Sequence, residues 1–322
     1  MRAIVVSEFG GPEQLRLEHV ADPVPGEGQL LVAVHAAGVN PVDAGNRGDG
    51  SWAGLRAPCV LGYDIAGVVD RTGPGVTAFR PGDRVMAMTH FRDGAGGYAE
   101  LAVVDAELAA PIGEATSMTE AAAVPLAAGT AWTVLARLAL PAGSRLLVLG
   151  ASGGVGLFLL QLAARQGIEV IAVGRQAMHR QMLTLGAASC VDYTSEDVTR
   201  RTLELAGGPV DAVADLVGGR TLTGVIGTLR DGGQAAAIAT PELDLDPLLD
   251  ANITFHGVLI RDDGQRTRDL AALLTEGALR PVVSHRLPLA EAAQAHRILE
   301  AQHPGGKIIL TVDRDGNEER TR

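Results

Sequence analysis

Two cysteines, one lysine among 27 basic residues and 3% aromatic residues set the first limits on this 322-residue chain. Cys59 and Cys190 are too few for a disulfide framework or a four-thiolate zinc site. With a strand-like Arg2-Ala3-Ile4-Val5-Val6 near its start, the chain is expected to be a reduced, cytoplasmic protein. A net charge of −11 without a basic run argues against a broad grip on nucleic acid or an anionic membrane. Disorder is excluded by composition, because 47% of residues are hydrophobic and only 20% charged. The long uncharged run Leu146 to Ala164 passes the length test for a membrane helix. Its centre, Gly150-Ala151-Ser152-Gly153-Gly154, predicts instead a strand, a tight turn and a helix. The rarity of lysine makes Lys307 conspicuous.

The first 110 or so residues read as short β segments broken by turns, among them Gln29 to Val34, Gly67 to Asp70, Asp83 to Ala87 and Tyr98 to Val104. Prolines at 23, 25, 41, 58, 74 and 81 interrupt this region too often for long helices, so a barrel-like β domain is expected. From residue 123 the rhythm changes to apolar strand and amphipathic helix in alternation, the pattern of a doubly wound parallel sheet. Expected strands are Leu146 to Leu149, Val170 to Val173, Ala188 to Val191, Val210 to Asp215, Ala235 to Ile238 and Thr254 to Val258. Residues 261–322 are expected to rejoin the first domain, with a helix at Leu289 to Ala301, a strand at Lys307 to Val312 and a frayed charged tail from Asp313. The resulting division is an α/β chain with a β-barrel domain, 1–122 with 261–322, and a doubly wound domain, 123–260.

The most informative motif runs Leu146-Leu147-Val148-Leu149-Gly150-Ala151-Ser152-Gly153-Gly154-Val155-Gly156. It is a dinucleotide fingerprint with Ala151 in the first glycine position. Gly153 admits a pyrophosphate to the backbone, Gly156 lets the helix approach its strand, and the helix-start amides receive the anion. The second strand ends in Val173-Gly174-Arg175-Gln176-Ala177-Met178-His179-Arg180, with no carboxylate to bind a ribose 2′-hydroxyl. Arg175, with His179 or Arg180 as a second contact, favours the 2′-phosphate of NADPH, and Tyr193 follows the third strand near the same place.

Six islands, in order, resemble the zinc-free quinone oxidoreductase branch of the medium-chain dehydrogenase/reductase superfamily. They are Ala37-Gly38-Val39-Asn40-Pro41-Val42-Asp43, Leu61-Gly62-Tyr63-Asp64-Ile65-Ala66-Gly67-Val68-Val69, Gly82-Asp83-Arg84-Val85, Gly96-Gly97-Tyr98-Ala99-Glu100, the glycine motif, and Gly305-Gly306-Lys307-Ile308-Ile309-Leu310. The resemblance implies a GroES-like β domain, a Rossmann domain for NADPH, a cleft between them and a homodimer. It places Asn40 and Asp43 at the nicotinamide and substrate end, Lys307 near the cofactor phosphates, and Val217, Ala239, Thr240 and Thr130 beside the nicotinamide. Asn40 stands where zinc relatives have the first metal ligand, Tyr63 replaces their histidine, and Leu126 to Thr130 has no cysteine, so no metal is expected. Relatives carry tyrosines after the first island, whereas this chain has Trp52, a candidate floor for an aromatic substrate. The cofactor-site set thus comprises Thr130, Ala151, Ser152, Gly153, Gly154, Val155, Gly156, Gly174, Arg175, His179, Arg180, Tyr193, Val217, Ala239, Thr240 and Lys307.

These features lead to the expectation of an NADPH-dependent reductase acting on a small-molecule quinone or α,β-unsaturated carbonyl, with Asn40, Asp43 and Tyr63 at the reacting end. Tyr63 is the one phenol expected there and a candidate proton donor. An apolar last strand near Thr254 to Ile260 calls for a partner edge and hence a homodimer. Two other functions fit the same motifs: a biosynthetic enoyl reductase, and a sensor or cyclase that binds NADPH without redox turnover.

Overall fold

The computed structural model describes residues 1–91, 96–302 and 304–313. The charged tail expected to fray lies, beyond Asp313, outside the described residues. The chain forms two compact units, Met1–Leu126 with Arg261–Arg322, and Ala127–Ile260.

In the first unit the strands are β1 Arg2–Val6, β2 Leu15–His19, β3 Gln29–Val39, β4 Cys59–Val60, β5 Asp64–Thr72, β6 Arg84–Met88, β7 Leu101–Asp105 and β8 Ala109–Pro111. The second unit holds β9 Arg145–Leu149, β10 Glu169–Val173, β11 Ser189–Val191, β12 Val210–Asp215, β13 Leu229–Ala237 and β14 Thr254–Gly257. The chain then returns to the first unit for β15 Val283–Pro288 and β16 Lys307–Thr311.

In the first unit a seven-stranded sheet runs β15-β16-β3-β5-β6-β8, with β7 added to β3, and a separate sheet runs β2-β1-β4. β3 is the hub. It pairs antiparallel with β7 through Gln29–Ala33, with β16 through Ala36–Val39, and with β5 along most of its length. The sequence reading ends this strand at Val34. The observed strand continues five residues further through a register shift between Val34 and Ala36. Gly38 makes the continuation feasible, since a Cβ there would lie 2.5 Å from the Ala122 carbonyl oxygen and 2.8 Å from Asp64 Cβ. Inward side chains from both sheets, including Ile4, Val32, Ile65, Val85, Ile308 and Leu310, form the core.

In the second unit six parallel strands take the order β11-β10-β9-β12-β13-β14. The winding direction reverses between β9 and β12, the topological switch point at which parallel sheets bind ligands. Leu147, Ile171, Val213 and Ala235 are buried on one face with Leu222 and Val225. β13 begins at Leu229, earlier than the expected Ala235, because a register shift and a left-handed Gly232 (φ 64) hide its first half from an alternation test. Helix Pro125–Leu138 has no polar stripe to give it a period, and it is absent from the sequence reading.

Candidate functional site

In the second unit, the nucleotide-site residues gather where the parallel strands end. β9 stops at Leu149, Gly150 turns with φ 74, and Gly153 caps the helix Gly154–Arg165 without a side-chain hydrogen bond. Gly154, Val155 and Gly156, as the first helical residues, have no intrahelical acceptor for their amides. The glycines here do different work. A Cβ on Gly156 would lie 2.4 Å from the Ala151 carbonyl oxygen, so this glycine lets helix and turn touch. A Cβ on Gly153 would meet only the Gly150 oxygen, at 3.3 Å, which leaves the space over the helix start to a ligand. Positive partial charge and bare amides there suit a diphosphate, so the turn fits the nucleotide. Ala151 is buried beneath the turn, and Ser152 is half-buried.

At the end of β10 the exposed Arg175 donates from Nε to Tyr193 Oη, 2.9 Å away, joining the loops after β10 and β11. Gly174 anchors this loop by donating to the Val191 carbonyl at 3.0 Å. Either His179 or Arg180 is the expected second phosphate contact. His179 Nε2 faces the Gly174 carbonyl at 3.1 Å, and because a carbonyl only accepts, that N–H is committed; Arg180 is exposed. Beyond β12, Asp215 Oδ1 accepts from the amides of Val217 and Gly218 at 2.9 and 3.1 Å and from Thr221 Oγ1 at 2.9 Å. This buried carboxylate shapes the Val217 turn, a role the sequence reading passed over. Gly219 donates to the Thr240 carbonyl at 3.0 Å, bringing the turn after β12 against Ala239 and Thr240 after β13. Thr130 is buried in the helix Pro125–Leu138.

In the first unit, Asn40 ends β3 and precedes the helix Pro41–Gly48. Its amide donates to Asp43 Oδ2 at 2.8 Å, one half of a capping box, and its Nδ2 donates to Asp64 Oδ2 at 2.9 Å. Asp64 Oδ1 accepts the Leu126 amide at 2.7 Å. Lys307, which the family resemblance puts near the cofactor phosphates, has its ammonium buried within the first unit. Its Nζ is 4% exposed and donates to Asn40 Oδ1, to the Val39 carbonyl at 3.3 Å and to Asp64 Oδ2 at 3.3 Å. All its donors are spent inside the first unit on a carboxylate and an amide that need them.

Tyr63 is fully buried, accepts from Asn46 Nδ2 at 2.7 Å and stacks on Phe91 at 5.3 Å; burial pushes its hydroxyl well above the usual tyrosine range. Trp52, 44% exposed, also meets Phe91, edge-on at 6.0 Å. Around Asp43 lie Tyr98 and His296, two participants the sequence reading did not name as site residues. Tyr98 Oη donates to Asp43 Oδ2 at 3.0 Å and lies 3.3 Å from His296 Nε2. Arg47 NH1 meets His296 Nδ1 at 3.2 Å, and its NH2 reaches Glu300 Oε1 at 2.7 Å.

Among the described residues no group of three or more His, Cys, Asp or Glu side chains is arranged to hold a metal ion. His90 sits between Asp105 and Asp262 at 2.8 and 3.0 Å, held above its ordinary pKa chiefly by the Asp262 hydrogen bond, and His256 Nε2 pairs with Gln234 Oε1 at 2.9 Å.

Residues 26–114 match the alcohol dehydrogenase GroES-like domain, and residues 185–310 match a family described as zinc-binding dehydrogenase. The quinone oxidoreductase of Rattus norvegicus is 33% identical across 97% of this chain and 98% of its own length. A solved NAD-dependent alcohol dehydrogenase superposes with a TM-score of 0.91 at 32% identity, covering 97% of this chain and all of its own. A mycobacterial protein solved in complex with NADPH gives a TM-score of 0.86 at 31% identity, covering 97% of this chain and 99% of its own. A GroES-like unit joined in sequence to a Rossmann unit, six motif islands in order and these relatives together place the chain among the oxidoreductases of the medium-chain dehydrogenase/reductase superfamily, in the quinone oxidoreductase branch.

Proposed function

We propose that this protein is an NADPH-dependent, metal-independent reductase delivering hydride to a quinone or to the β-carbon of an α,β-unsaturated carbonyl. The observation that carries the cofactor preference is Arg175, held by Tyr193 from the end of β11 and set in a loop after β10 that contains no carboxylate. A guanidinium there offers a 2′-phosphate charge-assisted donors, whereas a free 2′-hydroxyl lacks its usual acceptor. The amides of Gly154, Val155 and Gly156 hold the diphosphate, and the turns carrying Val217, Ala239 and Thr240 orient the carboxamide end. When bound, the reduced nicotinamide supplies the hydride. The names of the quinone oxidoreductase relatives and the Trp52–Phe91–Tyr63 aromatic group support a planar conjugated acceptor. Asn40 and Tyr63 occupy two positions that zinc relatives give to metal ligands, which supports metal independence. The open β14 edge, with Leu259 40% exposed just beyond it, supports a homodimer.

Steady-state oxidation of the two nucleotides with a quinone acceptor tests this reading. NADPH is expected to be preferred, and Arg175→Ala to weaken its apparent binding by about 1 to 3 kcal/mol while leaving NADH nearly unchanged. Equal use of both nucleotides by the unmodified protein contradicts the assignment.

A further inference from the structure

The hydrogen-bonded group around Asp43 has a fixed direction. Arginine only donates, so His296 Nδ1 must accept from Arg47, and the neutral ring then carries its proton on Nε2. Burial and the Arg47 charge hold His296 down at about 3, which keeps it neutral. Nε2–H therefore donates to Tyr98 Oη, and Tyr98 passes its own proton toward Asp43 Oδ2. That oxygen already accepts the Asn40 amide. With Oδ2 facing two donors, any proton on this carboxyl belongs on Oδ1.

Asp43 Oδ1 has no partner among the described residues, and neither has Asn46 Oδ1, three residues on along the same helix. Both side chains are fully buried. Positions i and i+3 of a helix are neighbours, so these two orphaned acceptors lie on one stretch of the helix, and a proton carried by one of them gives the other a donor. We propose that Asp43 carries a proton on Oδ1 and that this proton sets the Asn46 carboxamide, making Asn46 the positioning residue that presents the Tyr63 hydroxyl as a donor. With Asp43 neutral, Asn46 Oδ1 accepts from it and Asn46 Nδ2 donates to Tyr63 Oη, as observed at 2.7 Å, so the Tyr63 proton points away from Asn46. With Asp43 ionised, the amide turns over, Nδ2 serves the carboxylate, and Tyr63 spends its proton on Asn46 Oδ1.

The charges facing Asp43 do not prevent this. Desolvation is the dominant influence and Asp64 adds to it, while the Asn40 amide, the Tyr98 hydroxyl and Lys307 oppose it; the outcome is a carboxyl pushed up to about 7. Arg47 on the same helix is turned to His296 and Glu300. The use of Tyr63 as proton source rests on the hydride-transfer reading; the protonation and the amide orientation do not.

The test uses the whole protein without nucleotide or acceptor, so its outcome is separate from that reading. Infrared spectra are recorded through a pH titration, alongside carbon-13 spectra of protein labelled at tyrosine Cζ, where only three tyrosines contribute. At about pH 6, where ordinary carboxylates are ionised, a protonated-carboxyl stretch is expected. It should vanish with a midpoint of about 7, and the Tyr63 Cζ signal should move with the same midpoint while exposed Tyr193 does not. Asp43→Asn should lack the band and freeze the Tyr63 signal; if that variant does not fold, the two wild-type titrations decide alone. No carboxyl band at about pH 6, or a band whose titration leaves Tyr63 unmoved, overturns the proposal.

Discussion

Lys307→Met is expected to destabilise the first unit by about 3 to 5 kcal/mol, the cost of leaving one member of a buried ion pair alone. Asp64 is fully buried, and among the described residues its Oδ2 accepts from the Asn40 side-chain amide and from Lys307. Removing the ammonium leaves a desolvated carboxylate and also strips Asn40 Oδ1 and the Val39 carbonyl of their donor. Urea unfolding followed by a probe in the first unit measures the loss. Lys307→Met combined with Asp64→Leu should recover part of it, since replacing a buried pair by apolar side chains is often neutral. An exposed pair gives the contrast: Arg200 with Glu204, 68% and 42% exposed, should cost within about 1 kcal/mol when broken. A Lys307→Met variant as stable as the parent would mean that the ammonium is not held in this network.

Gly153→Val is expected to weaken dinucleotide binding at least about 100-fold, nearly 3 kcal/mol, without unfolding the second unit. Its backbone, φ −79 and ψ 174, lies in the extended region that valine adopts, and a Cβ meets one oxygen at 3.3 Å. The cost to the helix cap should stay near 1 kcal/mol. The new side chain instead fills the space reserved for the diphosphate. Gly156→Val should show the opposite pattern, because its Cβ would sit 2.4 Å from a backbone oxygen that cannot move without separating helix from strand. Thermal melting and calorimetric titration with NADPH on the two variants separate a binding glycine from a packing glycine. Undiminished affinity in Gly153→Val would place the phosphate elsewhere.

The contrast between these two sites explains what could be read from sequence. The nucleotide turn is local: strand, left-handed glycine, cap and helix follow one another within about twenty residues, and each step has its own residue signature. Arg175 and Tyr193 lie further apart, yet both follow predictable strand ends of one parallel sheet. The first unit offers no such continuity. Lys307 meets Asp64 across 243 residues, and Tyr98 meets His296 across 198. Asp64 reads as one polar residue in an apolar strand, and its partner cannot be chosen until β16 is paired with β3. The sole lysine signals a cation that matters, but chain position says nothing about which way a strand-end side chain turns, and the partners of its ammonium emerge only from the structure. Asn40 and Asp43 were found through family likeness, while Asn46, one turn along the same helix from Asp43, has no sequence feature that separates it from a surface asparagine.

Hydride transfer from NADPH to a conjugated acceptor can be followed through the hydrogen itself. The protein is incubated with NADPH deuterated at nicotinamide C4, one face at a time, together with a quinone or an α,β-unsaturated ketone, and the products are examined by mass spectrometry and NMR. Transfer is expected from one face only, with deuterium at the β-carbon of the saturated ketone or consumption of label during quinone reduction, and no loss of rate in the presence of a zinc chelator. Tight NADPH binding with the label left wholly on the nucleotide, whatever the acceptor, would contradict hydride transfer and leave a nucleotide-binding protein without redox turnover.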